Sequence, residues 1–149
     1  MSSKWQPDDS LLVRGKGGSK GAQRIKAALE KHKVSSASRV ITSRDARMND
    51  VKRTLKRPRA SMPPNVEQWQ LPVTLGPGHA VLCFTGRMKP GAKVPAHAHK
   101  NDLFRVVISG SLKYRGKTLR VGDWMFVPAG QSYSLQAGPK GVVTFYHHG

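Results

Sequence analysis

Two hydrophobic patterns divide the chain near residue 60. In the first part, apolar residues recur at intervals of three and four, which is the period of an amphipathic helix. This spacing predicts one helix over residues 19–33 and a second over residues 43–56, which Pro58 ends because proline cannot continue a helix. Residues 1–19 contain several glycines and serines, so we expect a flexible tail there.

Beyond a linker at residues 61–64, short apolar runs are broken by glycine and proline at intervals of about 8–12 residues, which is typical of an all-β sandwich or barrel. A tight hairpin is expected at residues 115–116, and a longer turn into the last strand at residues 138–141. The patterns therefore predict a partly helical extension over residues 1–60 and an all-β domain over residues 61–149. The predicted strands are residues 70–74, 80–87, 92–99, 103–109, 111–114, 117–121, 123–128, 132–137 and 142–147.

A strong positive charge adds a prediction about partners. The net charge is +18, and residues 1–60 alone carry 16 Lys and Arg against 5 Asp and Glu. Such a balance attracts polyanions, so nucleic acid or an acidic protein assembly is the expected partner. Five of these cations lie close together in one short segment, which is the candidate polyanion-binding segment. The alternative is that this segment is a solvated, cationic helix end. The candidate polyanion-binding residues are Lys52, Arg53, Lys56, Arg57 and Arg59.

The remaining composition bears on location and redox chemistry. No run of apolar residues is long enough to span a membrane, and the N-terminus lacks the basic-then-apolar plan of a secretory signal. We therefore expect a cytoplasmic or otherwise intracellular protein, or one that works within a larger assembly. Cys83 is the only cysteine, which rules out an intrachain disulfide, and its apolar neighbours predict a buried thiol.

Two histidines carry the candidate chemistry. His97 and His99 are separated by one residue, and in a strand such residues point to the same face. Two imidazoles on one face suit two ligands of one metal ion, because neutral imidazole is a common metal donor. The alternative is that both are ordinary polar side chains on a half-buried strand.

The glycines around this pair extend it into a longer motif. Gly91, five residues, His97-x-His99 and then Gly110 resemble the first conserved motif of the cupin superfamily. The second cupin motif is resembled by residues 122–130, in which Gly122, Pro128 and Gly130 have the expected spacing. The resemblance covers about residues 65–149. It implies an RmlC-like antiparallel jelly-roll barrel, and it suggests a homodimer because cupins commonly pair through sheet edges.

The same resemblance shows a degenerate metal-binding motif. It implies that a glutamate and a further histidine complete the metal site of such cupins, yet Leu103 and Tyr133 stand at these positions. Tyr133 is then a third ligand or a candidate catalytic acid, while Asp102 and His147 are weaker ligand candidates. One of the adjacent His147 and His148 must face inward if the last strand is regular to its end. The metal would be Fe, Mn, Ni or Zn, and the expected pocket residues are Leu103, Trp124 and Phe126.

Three interpretations of this cluster remain open: a metal site with unusual ligands, a metal-free site for a small polar or anionic molecule, and a barrel kept only as a scaffold. The leading hypothesis is a non-catalytic or weakly catalytic cupin-like module that its basic extension anchors to a polyanion. The alternative is a metal-dependent cupin enzyme of the oxygenase or lyase type that acts on a small organic molecule.

Overall fold

The computed structural model describes residues 5–35 and 39–149. The chain begins with a 3-10 turn, a small hairpin and two helices, which form the extension. From residue 10 onward the predicted flexible tail therefore contains ordered elements, and its first four residues lie outside the described part. These elements are the 3-10 turn Ser10–Leu12, strands β1 (Arg14–Gly15) and β2 (Gly18–Ser19), and helices α1 (Lys20–Lys31) and α2 (Met48–Thr54).

Among the described residues, seven antiparallel strands form the barrel, where the sequence predicts nine shorter ones. The hydrogen-bonded order is β3-β4-β9-β6-β7, with β5 added beside β9 and β8 beside β6. This arrangement confirms the predicted all-β, antiparallel jelly-roll class, with a basic and partly helical N-terminal extension. The strands are β3 (Val66–Leu75), β4 (Val81–Met88), β5 (Lys93–His97), β6 (Leu103–Tyr114), β7 (Lys117–Leu119), β8 (Trp124–Val127) and β9 (Tyr133–His148).

Both predicted helices are present, and both are shorter than expected. The Ser19 hydroxyl accepts a hydrogen bond from the Ala22 amide at 3.0 Å, which caps the start of α1. Helix α2 begins late because Arg47 adopts a left-handed backbone conformation with φ 66° just before it. The two helices bury a small apolar cluster of their own and contact β3, so the extension packs on the barrel. That cluster comprises Ile25, Ala28, Leu29, Val34, Met48, Val51 and Leu55.

Strands β6 and β9 run through the points where the sequence predicts breaks. Register shifts in the β6–β9 ladder on either side of Gly110 act as bulges, which bend a strand without ending it. Gly110 has φ +72°, and a Cβ there would collide with the carbonyl oxygen of Gly141 on β9. The predicted turn over residues 138–141 is therefore a bend within one continuous strand. The barrel thus contains two long bent strands, β6 and β9, in place of the shorter strands that the sequence predicts there.

The barrel interior is the main apolar core. Leu82, Leu103 and Leu112 are fully or almost fully buried, and Leu119 packs against them from β7. Val121 is an apolar residue at the end of the predicted strand 117–121, but it is 65% exposed because β7 ends at Leu119, before this residue. Within residues 5–35 and 39–149, no helix is long and apolar enough to cross a membrane.

The close approach of β6 and β9 predicts a large cost for Gly110→Ala. Gly116 offers a matched control, since it also has a positive φ (+75°) but nothing lies within 4 Å of its Cβ position. Backbone strain alone should cost Gly116→Ala about 1 kcal/mol of unfolding free energy. Gly110→Ala should lose about 3 kcal/mol or more, because the strand pair must also separate. Urea unfolding of both variants measures this, and equal losses would contradict the bulge model.

Cys83 should react slowly in the folded protein. Its side chain is 1% exposed in β4, and burial raises the pKa of the thiol. The reactive thiolate therefore forms at higher pH than in the unfolded chain. Iodoacetamide labelling at pH 8 should be at least about 100-fold slower in buffer than in guanidinium chloride. Similar rates in the two solutions would show that β4 opens readily.

Candidate functional site

A cavity of about 80 Å³ lies inside the barrel. Residues 5–12, called here the N-terminal segment, form one of its walls. The Trp5 indole donates a hydrogen bond to the Ser61 carbonyl at 3.1 Å, and its ring meets the His97 ring edge-on at 5.1 Å. Leu11 and Leu12 pack against the barrel core from the same segment. The extension therefore contributes directly to the site.

Three side chains converge in this cavity, and we call them the Asp9–His99–His148 triad. Their ligand atoms all lie within 4.8 Å of one another. His99 Nδ1 is 2.9 Å from Asp9 Oδ1, and the His148 ring centre lies 4.5 Å from that of His99. His148 Nε2 is buried and finds no hydrogen-bond partner among the described residues. The last strand and the N-terminal segment thus meet at His99.

The surroundings fix the charge states of the triad. Burial, aided by the neighbouring His99, lowers the pKa of His148 to about 4, so its imidazole is neutral at physiological pH. Burial opposes ionisation of Asp9, but the hydrogen bond and charge of His99 hold the pKa of the carboxyl below its usual value. The triad therefore presents an anionic oxygen beside a neutral imidazole, a combination that favours metal cations.

His97 and Tyr133 lie next to the triad, because β5 and β9 pair His97 with Tyr133. His97 Nδ1 lies 2.7 Å from the Pro95 carbonyl oxygen, which leaves Nε2 as the acceptor of the neutral ring. Burial lowers the pKa of His97 and raises that of Tyr133. The Tyr133 hydroxyl lies 3.3 Å from His99 Nε2. As a neutral phenol it is a hydrogen-bonding neighbour of the triad and a poor metal ligand.

The weaker ligand candidates fall outside the triad. Asp102 Oδ1 accepts a hydrogen bond from the Ala129 amide at 2.9 Å, so this carboxylate fixes a loop. His147 faces the outside of the barrel, where its ring packs against Phe104 at 5.4 Å. Alternation along β9 instead sends His148 inward, which answers the question that the adjacent histidines leave open.

Of the expected pocket residues, the structure places Leu103 in the cavity wall and the two aromatic residues elsewhere. Trp124 and Phe126 are 62% and 52% exposed on β8. Strand alternation explains their position, because Val127 is the buried neighbour that points to the core. The predicted aromatic wall is therefore an outer surface, which Phe104 extends through a ring contact with Trp124 at 5.8 Å.

The predicted polyanion-binding segment loses one of its five cations to the interior. Arg57 is 6% exposed, lines the cavity and pairs with Asp8, with Nη2 at 3.1 Å from Oδ2. Lys56 pairs with Glu67 at 2.8 Å on the surface. The other candidates, Lys52, Arg53 and Arg59, are exposed.

Two residues of the site have no place in the sequence prediction. Asp9 carries no local signal, because its partner His99 lies 90 residues away in the chain. Arg105 does carry one: it alternates with the outward-facing Phe104 in β6, so a charged residue stands at an inward position between Leu103 and Val107. A charge at a core position of a strand is a signal worth following.

The barrel, the paired motifs and the histidines define a cupin. More specifically, residues 49–149 match the model of the ChrR cupin-like domain, so the chain belongs to this family. The match begins within α2 and thus includes part of the extension. No curated protein matches the sequence.

Several solved structures are similar to this chain. An RmlC-like cupin from Shewanella frigidimarina NCIMB 400 is 23% identical over 56% of this chain and 75% of its own, with a TM-score of 0.47. The polyketide cyclase RemF from Streptomyces resistomycificus is 19% identical over 57% and 65%, with a TM-score of 0.48. A protein of unknown function from Rhizobium leguminosarum bv. viciae 3841 is 20% identical over 74% and 94%, also at 0.48. We infer no ligand and no reaction of this chain from these three structures.

The pair between Asp8 and Arg57 should hold the N-terminal segment against the cavity. In Asp8→Asn the buried guanidinium loses its anionic partner, which should lower the unfolding free energy by about 1 kcal/mol. Amide hydrogens of residues 10–12 should also exchange faster. Asp50→Asn is the control, since it breaks the exposed pair with Arg53 and should change neither measurement. Equal behaviour of the two variants would show that the pair does not hold the segment.

Proposed function

We propose that this protein is a metal-binding cupin whose Asp9–His99–His148 triad holds a divalent cation in the barrel cavity. The observation that carries the proposal is the convergence of one carboxylate and two imidazoles around His148 Nε2, a buried nitrogen without a hydrogen-bond partner in the described residues. Buried polar atoms are rarely left unpaired unless they have another role.

The donor chemistry fits the metals expected from the cupin resemblance. One carboxylate oxygen with two imidazole nitrogens suits divalent Fe, Mn, Ni or Zn. His97 is a further candidate donor beside this set, because the bond of its Nδ1 to the Pro95 carbonyl is the kind that orients ligating imidazoles and leaves Nε2 free. A bound divalent metal would supply Lewis-acid chemistry to a small molecule in the cavity.

In the proposed site, His99 comes from the first cupin motif, and the other two ligands come from positions outside both motifs. Asp9 provides the carboxylate that Leu103 lacks, and His148 provides the imidazole that Tyr133 lacks. Tyr133, held as a neutral phenol 3.3 Å from His99 Nε2, is a proton donor toward the cavity and the candidate catalytic acid. The N-terminal segment limits access of water to the triad, since Trp5 and Asp8 are held at the cavity by Ser61 and Arg57.

Two further predictions about partners remain separate from this site. Support for a polyanionic partner rests on the charge of the exposed Lys52, Arg53, Lys56 and Arg59, and it no longer includes Arg57. The predicted homodimer has a candidate face in the exposed rings of Trp124 and Phe126.

Variants of His147 and His148 test the proposal. These residues are adjacent in the chain, but His148 belongs to the triad and His147 faces outward. Protein prepared without a histidine tag should bind one equivalent of Zn²⁺, Ni²⁺, Mn²⁺ or Fe²⁺ in isothermal titration and in elemental analysis. His148→Ala and Asp9→Asn should each lose at least about tenfold in affinity, because each removes a ligand.

His147→Ala is the matched control and should keep the wild-type affinity, since this ring lies on the outer face. Circular dichroism and thermal unfolding confirm that each variant keeps the barrel. The proposal fails if the wild-type protein binds none of these metals, or if His147→Ala and His148→Ala lose affinity equally.

A further inference from the structure

Arg105 stands in the cavity wall with part of its hydrogen-bonding capacity unused. Its Nη1 donates to the Thr144 hydroxyl at 2.9 Å, and its guanidinium carbon lies 4.3 Å from the centre of the Tyr146 ring. Nε is buried and has no hydrogen-bond partner within the part of the chain that the structure describes. The side chain is thus held in place by stacking and one hydroxyl, while a donor stays unpaired.

The charges around the cavity leave this guanidinium without a counterion. Asp8 pairs with Arg57, and Asp9 contacts His99. Across residues 5–35 and 39–149, no carboxylate comes within ion-pair distance of Arg105. Arg105 is half-buried, and a cation partly withdrawn from water without a protein anion is costly, so a ligand that brings one negative charge reduces this cost.

We propose that the cavity binds a small organic carboxylate and that Arg105 is its anchor beside the Asp9–His99–His148 triad. A planar guanidinium matches a carboxylate with two parallel hydrogen bonds. The same cavity already holds one guanidinium–carboxylate pair, in which Arg57 Nη2 lies 3.1 Å from Asp8 Oδ2. One unpaired cation calls for a monoanionic group more than for a doubly charged phosphate ester.

The size of the cavity limits the ligand further. A volume of about 80 Å³ accommodates only a few non-hydrogen atoms while the N-terminal segment is in place. A short acid such as acetate fits this limit, and a longer chain requires the segment to move. The inference deepens the proposed function, and it rests on it only for the second contact of the ligand, at the metal.

Wild-type protein gives the first test, without any variant. Acetate and its neutral counterpart acetamide are titrated into metal-free and Zn²⁺-loaded protein in a carboxylate-free buffer, and amide chemical shifts are followed by NMR. Acetate should bind saturably, with shifts around β6 and β9, and at least about tenfold more tightly than acetamide because only the acid carries charge. Absence of saturable acetate binding in both states, or equal binding of the two probes, overturns the inference.

Variants then assign the anchor. Arg105→Gln should weaken acetate binding at least about tenfold, and Arg105→Lys should weaken it less because the charge remains. Arg87→Gln is the matched control, since it makes the same charge change at an exposed position of β4 and should leave binding intact. Wild-type acetate affinity in Arg105→Gln overturns the role of Arg105. If Arg105→Gln does not fold, Arg105→Lys and the comparison of acetate with acetamide decide.

The two proposals can fail independently. Metal binding without acetate binding overturns the carboxylate site and leaves the metal proposal intact. Acetate binding to a protein that takes up no metal overturns the metal proposal and supports the carboxylate site. Arg105→Gln should bind the metal at least as tightly as the wild type, because Arg105 is not a ligand and its charge repels a cation.

Discussion

The contact between Asp9 and His99 links the two parts of the molecule. It brings an N-terminal carboxylate to a histidine 90 residues further along the chain, at a distance of 2.9 Å. The carboxylate and the imidazole stabilise each other, and His148 packs on the same imidazole from the last strand. The contact adds to the packing of α1 and α2 on β3, and it joins the site to the N-terminal segment that forms a wall of the cavity.

The jelly-roll barrel sets the rest of the geometry. Pairing of β5 with β9 places His97 opposite Tyr133, and pairing of β6 with β9 places Leu103 opposite His148. The two positions at which the cupin motif departs from a metal site therefore stay next to the histidines. We propose that Asp9 and His148, from elsewhere in the chain, take the place of the two ligands that the cupin motif lacks here. Arg105 adds a cation to the same wall, and we propose that it anchors an anionic ligand there.

Sequence patterns predict the barrel well because strand periodicity and glycine spacing are local properties. His97, His99 and Leu103 could be placed at the cavity on that basis. Alternation along a strand also contains the inward positions of Arg105 and His148, but choosing between His147 and His148 needs the register of the last strand. Asp9 could not be predicted, since its position depends on how a distant segment folds over the barrel mouth. Trp124 and Phe126 lie outside because the alternation of β8 turns Val127 to the core.

The position of a bound metal ion is the sharpest test of the proposed Asp9–His99–His148 site. Anomalous scattering at the zinc edge, measured on crystals of the Zn²⁺-loaded protein, gives this position without reference to activity. The proposed site predicts one strong anomalous peak in the barrel cavity. It should lie about 2.0–2.2 Å from the Asp9 carboxylate and from one nitrogen each of His99 and His148. A peak at the outward-facing His147 would contradict this prediction. So would a cavity without a peak in crystals of protein that is fully loaded with zinc.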